Sequence, residues 1–341
     1  MKAICITEPG KIDIVEIPKP EAREGEALLR VLYCGVCGAD VASFTGNQPF
    51  TTYPRIPGHE FSAQIVTVPE NHRGLKSGDI VTCNPYFNCG SCYACLKGLV
   101  NACTDNQTMG VQRDGAFCEY ITMPMERIIP GKGLNARQLA LIEPFAISHH
   151  ALNRCTMLPG YRLLINGAGP IGLFALLAAK AKDAEVTVTD VLDGRLEKAK
   201  AFGADHTVNA AAPDAAEQLR ALTYGNGFDV CVEACGQPDS FLNCIEQAAQ
   251  GANLVLIGNG KKQTTFLHSL LIKKELNVFG SRNAYTADFE ALIELVRSGR
   301  TDVTQMVSAV YDADDAGKAF DALTHNDGSL EKVLIRFAEP R

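Results

Sequence analysis

Residues 161–190 read YRLLINGAGPIGLFALLAAKAKDAEVTVTD, and this stretch decides the fold. YRLLIN is short and apolar, as a strand buried on both faces would be. GAGPIG, Gly167 to Gly172, follows at once, and LFALLAAKAK continues as a helix. In that strand–turn–helix setting Gly167 permits the tight turn, Gly169 lets the backbone approach a pyrophosphate, and Gly172 lets helix and strand pack closely. The helix start offers free N–H groups and a partial positive charge to the phosphates. Gly167, Gly169, Pro170, Ile171 and Gly172 are therefore candidate cofactor residues. The next strand, EVTVTD, ends at Asp190. That is near the offset of about 20 residues at which a carboxylate accepts from the adenosine ribose hydroxyls. A carboxylate there repels a 2′-phosphate, so NAD is expected rather than NADP. Arg195, one turn into the following helix, either stacks on the adenine or faces solvent.

Further along, strand-like and helix-like segments alternate: GRLEKAKAFG, DHTVNA, AAEQLRALT, FDVCVEACG, SFLNCIEQAAQ, ANLVLIGNG and LNVFGS. Such alternation predicts an α/β fold with a doubly wound parallel sheet. Upstream the texture differs. KAICIT and KIDIVEI flank EPG as a hairpin would, and EALLRVLYC, FSAQIVTV and GDIVTC read as further strands. ARQLALIEPFAISHHALNRC turns helical, and after about residue 283 come two helical runs and an end strand, KVLIRF, with no place in the parallel sheet.

The 341 residues suffice for two domains. Apolar residues make up 46% and charged residues 21%, the balance of a soluble globular protein. A net charge of −7 argues against nucleic acid as a partner. No apolar run approaches the roughly 20 residues needed to span a bilayer, and MKAICITEPGKIDIVEI lacks the apolar core of a signal peptide. A cytoplasmic protein without a membrane partner is expected.

That compartment bears on the thirteen cysteines. Thiols kept reduced and clustered more often hold metal or do chemistry than form disulfides. In NCGSCYACLKGLVNAC, residues 88–103, Cys89, Cys92, Cys95 and Cys103 lie close enough to converge on one tetrahedral ion. With four thiolates and no open position, a closed structural zinc is the reading. A second set is Cys37 in CGVCGAD with His59 and Glu60 in PRIPGHEF. One S, one N and one O ligand leave room for water or substrate, as a catalytic zinc requires.

CGVCGAD, GHEF, the four-cysteine segment, IEPFA and GAGPIG occur in an order that resembles the zinc-dependent medium-chain alcohol dehydrogenases. The resemblance runs along essentially the whole chain. GNQPFTTYPRIPGHE, LIEPFAISHHA and GSRNA look nearest to the bacterial polyol and sugar-acid branch, which includes enzymes oxidising L-galactonate or L-idonate. It implies a GroES-like β-barrel catalytic domain from residues 1–150 and 283–341, with a Rossmann NAD-binding domain at 151–282 and the active site in the cleft. It implies two zinc ions per chain and NAD. Cys37 and His59 match catalytic zinc ligands, and Glu60 matches a glutamate that binds zinc directly or through water. Glu143 in EPF matches a fourth ligand that exchanges with water. Asp40 matches an acid that orients the ligand histidine, and Arg282 falls where the branch has an arginine facing substrate, or else is a surface arginine. The implied activity is hydride transfer from a secondary alcohol of a sugar acid, an aldonate such as L-galactonate, or of a polyol, to NAD⁺. Relatives are usually dimers or tetramers, so a homo-oligomer is expected.

Two positions depart from the family. The residue two after the ligand cysteine is usually Ser or Thr and serves a proton relay, but here it is Ala39. A histidine common further on is Ala42. Either Ser43 or a water held by Glu60 then substitutes, or the enzyme is slow or atypical. The gap supports an alternative, an NAD-binding sensor or structural protein with little turnover, which the complete ligand set opposes. That set, with the four-cysteine segment, also opposes a zinc-free quinone reductase.

Overall fold

The structure, a computed structural model, describes residues 1–340. It divides into two compact units, Met1–Glu143 with Ala284–Arg341, and Pro144–Asn283.

In chain order the first unit opens with β1 (Lys2–Glu8), β2 (Lys11–Glu16), β3 (Glu26–Val36), α1 (Gly38–Phe44), β4 (Glu60–Thr67), β5 (Ile80–Cys83) and β6 (Tyr86–Phe87). Then come α2 (Tyr93–Leu96), β7 (Gln107–Thr108), β8 (Tyr120–Pro124), β9 (Ile128–Pro130) and α3 (Ala136–Ala140), and the chain passes into the second unit within α4 (Ile142–Leu152), after Glu143. The second unit holds β10 (Arg162–Asn166), α5 (Pro170–Lys180), β11 (Glu185–Asp190), α6 (Asp193–Ala201), β12 (His206–Asn209), α7 (Ala215–Leu222) and β13 (Phe228–Glu233). It closes with α8 (Pro238–Gln247), β14 (Ala248–Leu256), α9 (Ser269–Lys274) and β15 (Asn277–Gly280). The chain then returns to the first unit as α10 (Thr286–Arg297), β16 (Val307–Asp312), α11 (Ala316–Thr324) and β17 (Lys332–Arg336).

In the first unit the strands run in the order β16-β17-β3-β4-β5-β9, with β8 also on β3. β3 takes partners along both edges, and EALLRVLYCGV is buried almost throughout rather than alternating. The end strand β17 lies between β16 and β3, parallel to the former and antiparallel to the latter. The core gathers Ile4, Leu29, Val31, Phe61, Ile65, Phe117 and Val333 around Phe320 of α11. The Phe320 ring meets Phe117 edge-on at 6.0 Å. Burying a side chain of that size is worth about 1.5–3 kcal/mol.

The second unit is a six-stranded parallel sheet in the order β12-β11-β10-β13-β14-β15. Numbered within the unit, that is the doubly wound order, whose direction of winding reverses beside the first strand. Its strands are apolar runs such as RLLIN and EVTVTD, buried on both faces. The helical run expected around residues 136–152 breaks at Leu141 into α3 and α4. β14 begins at Ala248, earlier than its apolar run suggests, while α9 and β16 carry too little periodicity to be read in advance. No helix among the described residues is long and apolar enough to cross a membrane.

Candidate active site

Strand register brings the first cluster together. β3 and β4 are antiparallel with Gly35 opposite Glu60, so the residues just past the end of β3 face those just before β4. Cys37 caps α1 immediately after β3, and His59 immediately precedes β4. A side chain on Gly35 would collide with Glu60 Oε2, so this glycine makes room for the carboxylate. Ligand atoms of Cys37, His59 and Glu60 all lie within 4.8 Å of one another.

Asp40 fastens the two ligand-bearing segments. Its Oδ2 accepts from the Cys37 N–H at 2.9 Å and its Oδ1 from the Gly58 N–H at 3.2 Å. The same Oδ1 is 3.9 Å from His59 Nδ1. Asp40 is fully buried, which raises its carboxyl pKa, while the neighbouring His59 works the other way. Burial opposes a charged imidazole, yet Cys37 and Asp40 hold His59 well above its usual range. Burial and the adjacent Glu60 push the Cys37 thiol up.

Two residues at this site were not read from the sequence. Lys332 opens β17, whose register on β3 sets Val333 opposite Val36, so Lys332 falls level with Cys37. Its ammonium pairs with Glu60 Oε2 and donates to the Val36 carbonyl at 3.2 Å. The other is Tyr86, whose phenol donates to Glu143 Oε1. Glu143, in the first turn of α4, is buried, and burial lifts its carboxyl to about 7 against the pull of His59. It lies outside the group of three mutually close ligands. The cluster fits a divalent cation: the buried carboxyls of Asp40, Glu60 and Glu143, with the Cys37 thiol beside them, concentrate acidic groups around the basic His59 and Lys332, and uncompensated buried charge is costly.

In the second unit, Gly167 follows β10 at φ +105°, where a side chain would be strained. At Gly169, the helix cap, the space a Cβ would fill is open, leaving a cradle for phosphate. Pro170 starts α5, where its missing N–H costs nothing. Ser148 binds the Ile171 carbonyl at 2.8 Å, and a side chain on Gly172 would strike the Gly167 carbonyl. Asp190 ends β11, its Oδ2 accepting from Ala168 N at 2.9 Å and its Oδ1 from Leu192 N at 3.0 Å. Arg195 Nη1 stands 3.7 Å from that carboxylate. Asn166, just before the turn, was not singled out from the sequence. Its Nδ2 donates to the Ser240 carbonyl and its Oδ1 accepts from Thr189, hooking α8 and β11 to the turn. Arg282 is exposed and belongs to this unit.

The four-cysteine segment forms a lobe between β6 and β7. Cys89, Cys92, Cys95 and Cys103 bring their sulfurs within 4.8 Å of one another, and all thirteen cysteines of the chain are unpaired. Cys103 Sγ is 3.5 Å from Cys89 Sγ and 3.9 Å from Cys92 Sγ. Those spacings bracket the roughly 3.8 Å edge of a ZnS₄ tetrahedron with bonds near 2.3 Å. N–H groups of Cys89 and Cys92 point at sulfur, each at 3.3 Å. Backbone hydrogen bonds, from Cys95 above all, lower the Cys92 thiol to about 5, whereas burial raises Cys103 to about 11. This sulfur set fits a structural zinc.

A cluster of Cys, His and Glu fit to hold a metal on one unit, with a dinucleotide turn on the other, defines a metal- and nicotinamide-dependent oxidoreductase. Residues 23–133 match the alcohol dehydrogenase GroES-like domain, and residues 170–298 match the zinc-binding dehydrogenase family. L-galactonate-5-dehydrogenase of Escherichia coli (strain K12) is 36% identical over 94% of this chain and 94% of its own. Sorbitol dehydrogenase of Bacillus subtilis (strain 168) is 32% identical over 98% of this chain and 97% of its own. An alcohol dehydrogenase (rspB) of E. coli CFT073, crystallised with NADH, superposes with a TM-score of 0.91 at 30% identity, covering 98% of this chain and 99% of that one. The chain belongs to the zinc-type medium-chain alcohol dehydrogenase family and is an NAD-dependent oxidoreductase.

Proposed function

We propose that the protein oxidises a secondary alcohol of a polyhydroxy substrate, a sugar acid such as L-galactonate or else a polyol, with NAD⁺ as hydride acceptor. The observation that carries this reading is the Cys37–His59–Glu60 cluster, its His and Glu buried, with Asp40 fastening its two segments. The substrate class follows the relatives, an L-galactonate-5-dehydrogenase and a sorbitol dehydrogenase.

Zinc, when bound, supplies a Lewis acid that makes a hydroxyl easier to deprotonate, and NAD⁺ supplies the hydride acceptor. Cys37, His59 and Glu60 would hold the metal, and Asp40 keeps Cys37 and His59 at fixed separation. Lys332 balances the Glu60 charge. On the other unit, the Gly167–Gly172 turn would cradle the pyrophosphate and Asp190 would accept from the ribose hydroxyls. Arg282 is the candidate group for a substrate carboxylate, which its guanidinium would grip in a fork. Zinc-loaded protein tested for NADH formation against a panel of aldonates and polyols checks the reading; no turnover on any member would overturn it. A homo-oligomer in a reducing compartment, the cytoplasm, completes the proposal. β15 is an open sheet edge, and Val278 on it is exposed, as are Leu267, Leu270 and Ile272 just ahead of it in the chain.

Asp190→Ala should lower kcat/KM for NAD⁺ by about tenfold to a hundredfold, the worth of a hydrogen bond to a charged group, and leave NADP⁺ less affected. An unchanged ratio of the two would remove Asp190 from the cofactor site. Ala39 offers no hydroxyl beside Cys37, and the Ser43 hydroxyl is buried in a 2.7 Å bond with Thr51. Ala39→Ser is expected to speed hydride transfer near neutral pH on the order of tenfold, a modest gain for a positioned proton-transfer group. No gain in single-turnover rate would mean another group already moves the proton.

A further inference from the structure

Tyr86 sits where two parts of the first unit meet. It belongs to β6, the short strand leading into the four-cysteine lobe, and among the described residues β6 pairs only with β7, the strand leading out. Its backbone is held on both sides. The N–H donates to Asn84 Oδ1 at 3.0 Å, and the carbonyl accepts from Arg127 Nη1. Arg127 Nη2 also donates to Asn88 Oδ1 at 3.1 Å, and Asn88 in turn faces Cys95 Sγ at 3.8 Å. Arg113 and Arg127 both lie over the ring of Phe87, at 3.8 Å and 4.3 Å. The phenol of a side chain fixed this firmly ends on Glu143 Oε1. Glu143 faces His59 and Glu60 but is not one of the three ligands whose atoms all lie within 4.8 Å of one another.

We propose that Tyr86 is a positioning residue that tethers Glu143 beside the catalytic metal site rather than in it, keeping a coordination place for the substrate oxygen. The inference rests on the zinc reading of Cys37, His59 and Glu60. A phenol donating to one carboxylate oxygen withdraws electron density and fixes the carboxylate plane, so Glu143 is both aimed and made a poorer ligand. The four-cysteine lobe acquires a second consequence: by clamping the β6–β7 ribbon through Asn88 and Arg127, it holds the tether in register.

The test uses cobalt(II) in the catalytic site of full-length protein and compares wild type, Tyr86→Phe, and Tyr86→Phe with Glu143→Gln. The Phe variant keeps the ring and the packing, and a thermal melt checks that it folds. With the phenol gone, Glu143 is free to reach the metal. The visible cobalt bands should weaken as the coordination number rises, and cobalt affinity should rise by about tenfold, within the range for residues supporting ligands. The double variant should return both readouts to wild-type values. A folded Tyr86→Phe with the wild-type spectrum and affinity overturns the tether. Failure of the underlying zinc reading looks different: the cobalt bands would then persist in Cys37→Ser.

Discussion

Cys37→Ser should leave a folded chain that binds one zinc where the wild type binds two, with kcat reduced by about three orders of magnitude or more. The size follows from the Lewis-acid contribution, several kcal/mol of transition-state stabilisation at about 1.4 kcal/mol per decade of rate. The fold should survive because Cys37 only caps α1 and the core around Phe320 does not use its sulfur. The lobe of Cys89, Cys92, Cys95 and Cys103 is a separate cluster, so its zinc should remain. Elemental analysis, circular dichroism and steady-state rates on one preparation decide the matter. Wild-type turnover from protein lacking the second zinc would refute the assignment of the site.

Local features were legible in the sequence and long-range polar partners were not. The glycine turn of Gly167 to Gly172 announces itself because a tight turn, a close backbone approach and a helix start impose residue types on adjacent positions. The four-cysteine lobe is legible for the same reason, since short spacing alone limits what its sulfurs can meet. Cys37 and His59 are 22 residues apart, and only the β3–β4 register makes them neighbours. Asp40 and Glu143 entered through family resemblance, not through any local pattern. Lys332 bonds to Val36 across 296 residues of chain, and Tyr86 reaches Glu143 across 57. A lysine opening the apolar run KVLIRF was the one available signal, for a charge at a strand end is ordinarily solvent-exposed. β16 and α9 were missed because their exposed, irregular patterns give neither a period of two nor one of 3.6.

Lys332→Met should cost more stability in the metal-free enzyme than in the zinc-loaded one. Lys332 and Glu60 form an ion pair whose side chains are 5% and 2% exposed. Breaking such a pair from one side strands the other charge, at about 3–5 kcal/mol. In zinc-loaded protein the metal would sit beside Glu60 and offset the lost ammonium, so the penalty there shrinks. pH cannot substitute for the mutation. Burial disfavours the Lys332 charge, but Glu60 and Cys37 outweigh it and raise its pKa above the usual lysine value. A raised lysine pKa means the ion pair contributes in full below about 10.4 and fades only as pH climbs through the still higher folded value, beyond the neutral range. The measurement is therefore a set of thermal melts, wild type against Lys332→Met, each with zinc and after chelation. Adding Glu60→Gln to the lysine variant should recover most of the metal-free loss, because no charge is then stranded. Equal losses with and without zinc would show that Lys332 stabilises strand β17 by packing alone and takes no part in balancing the metal site.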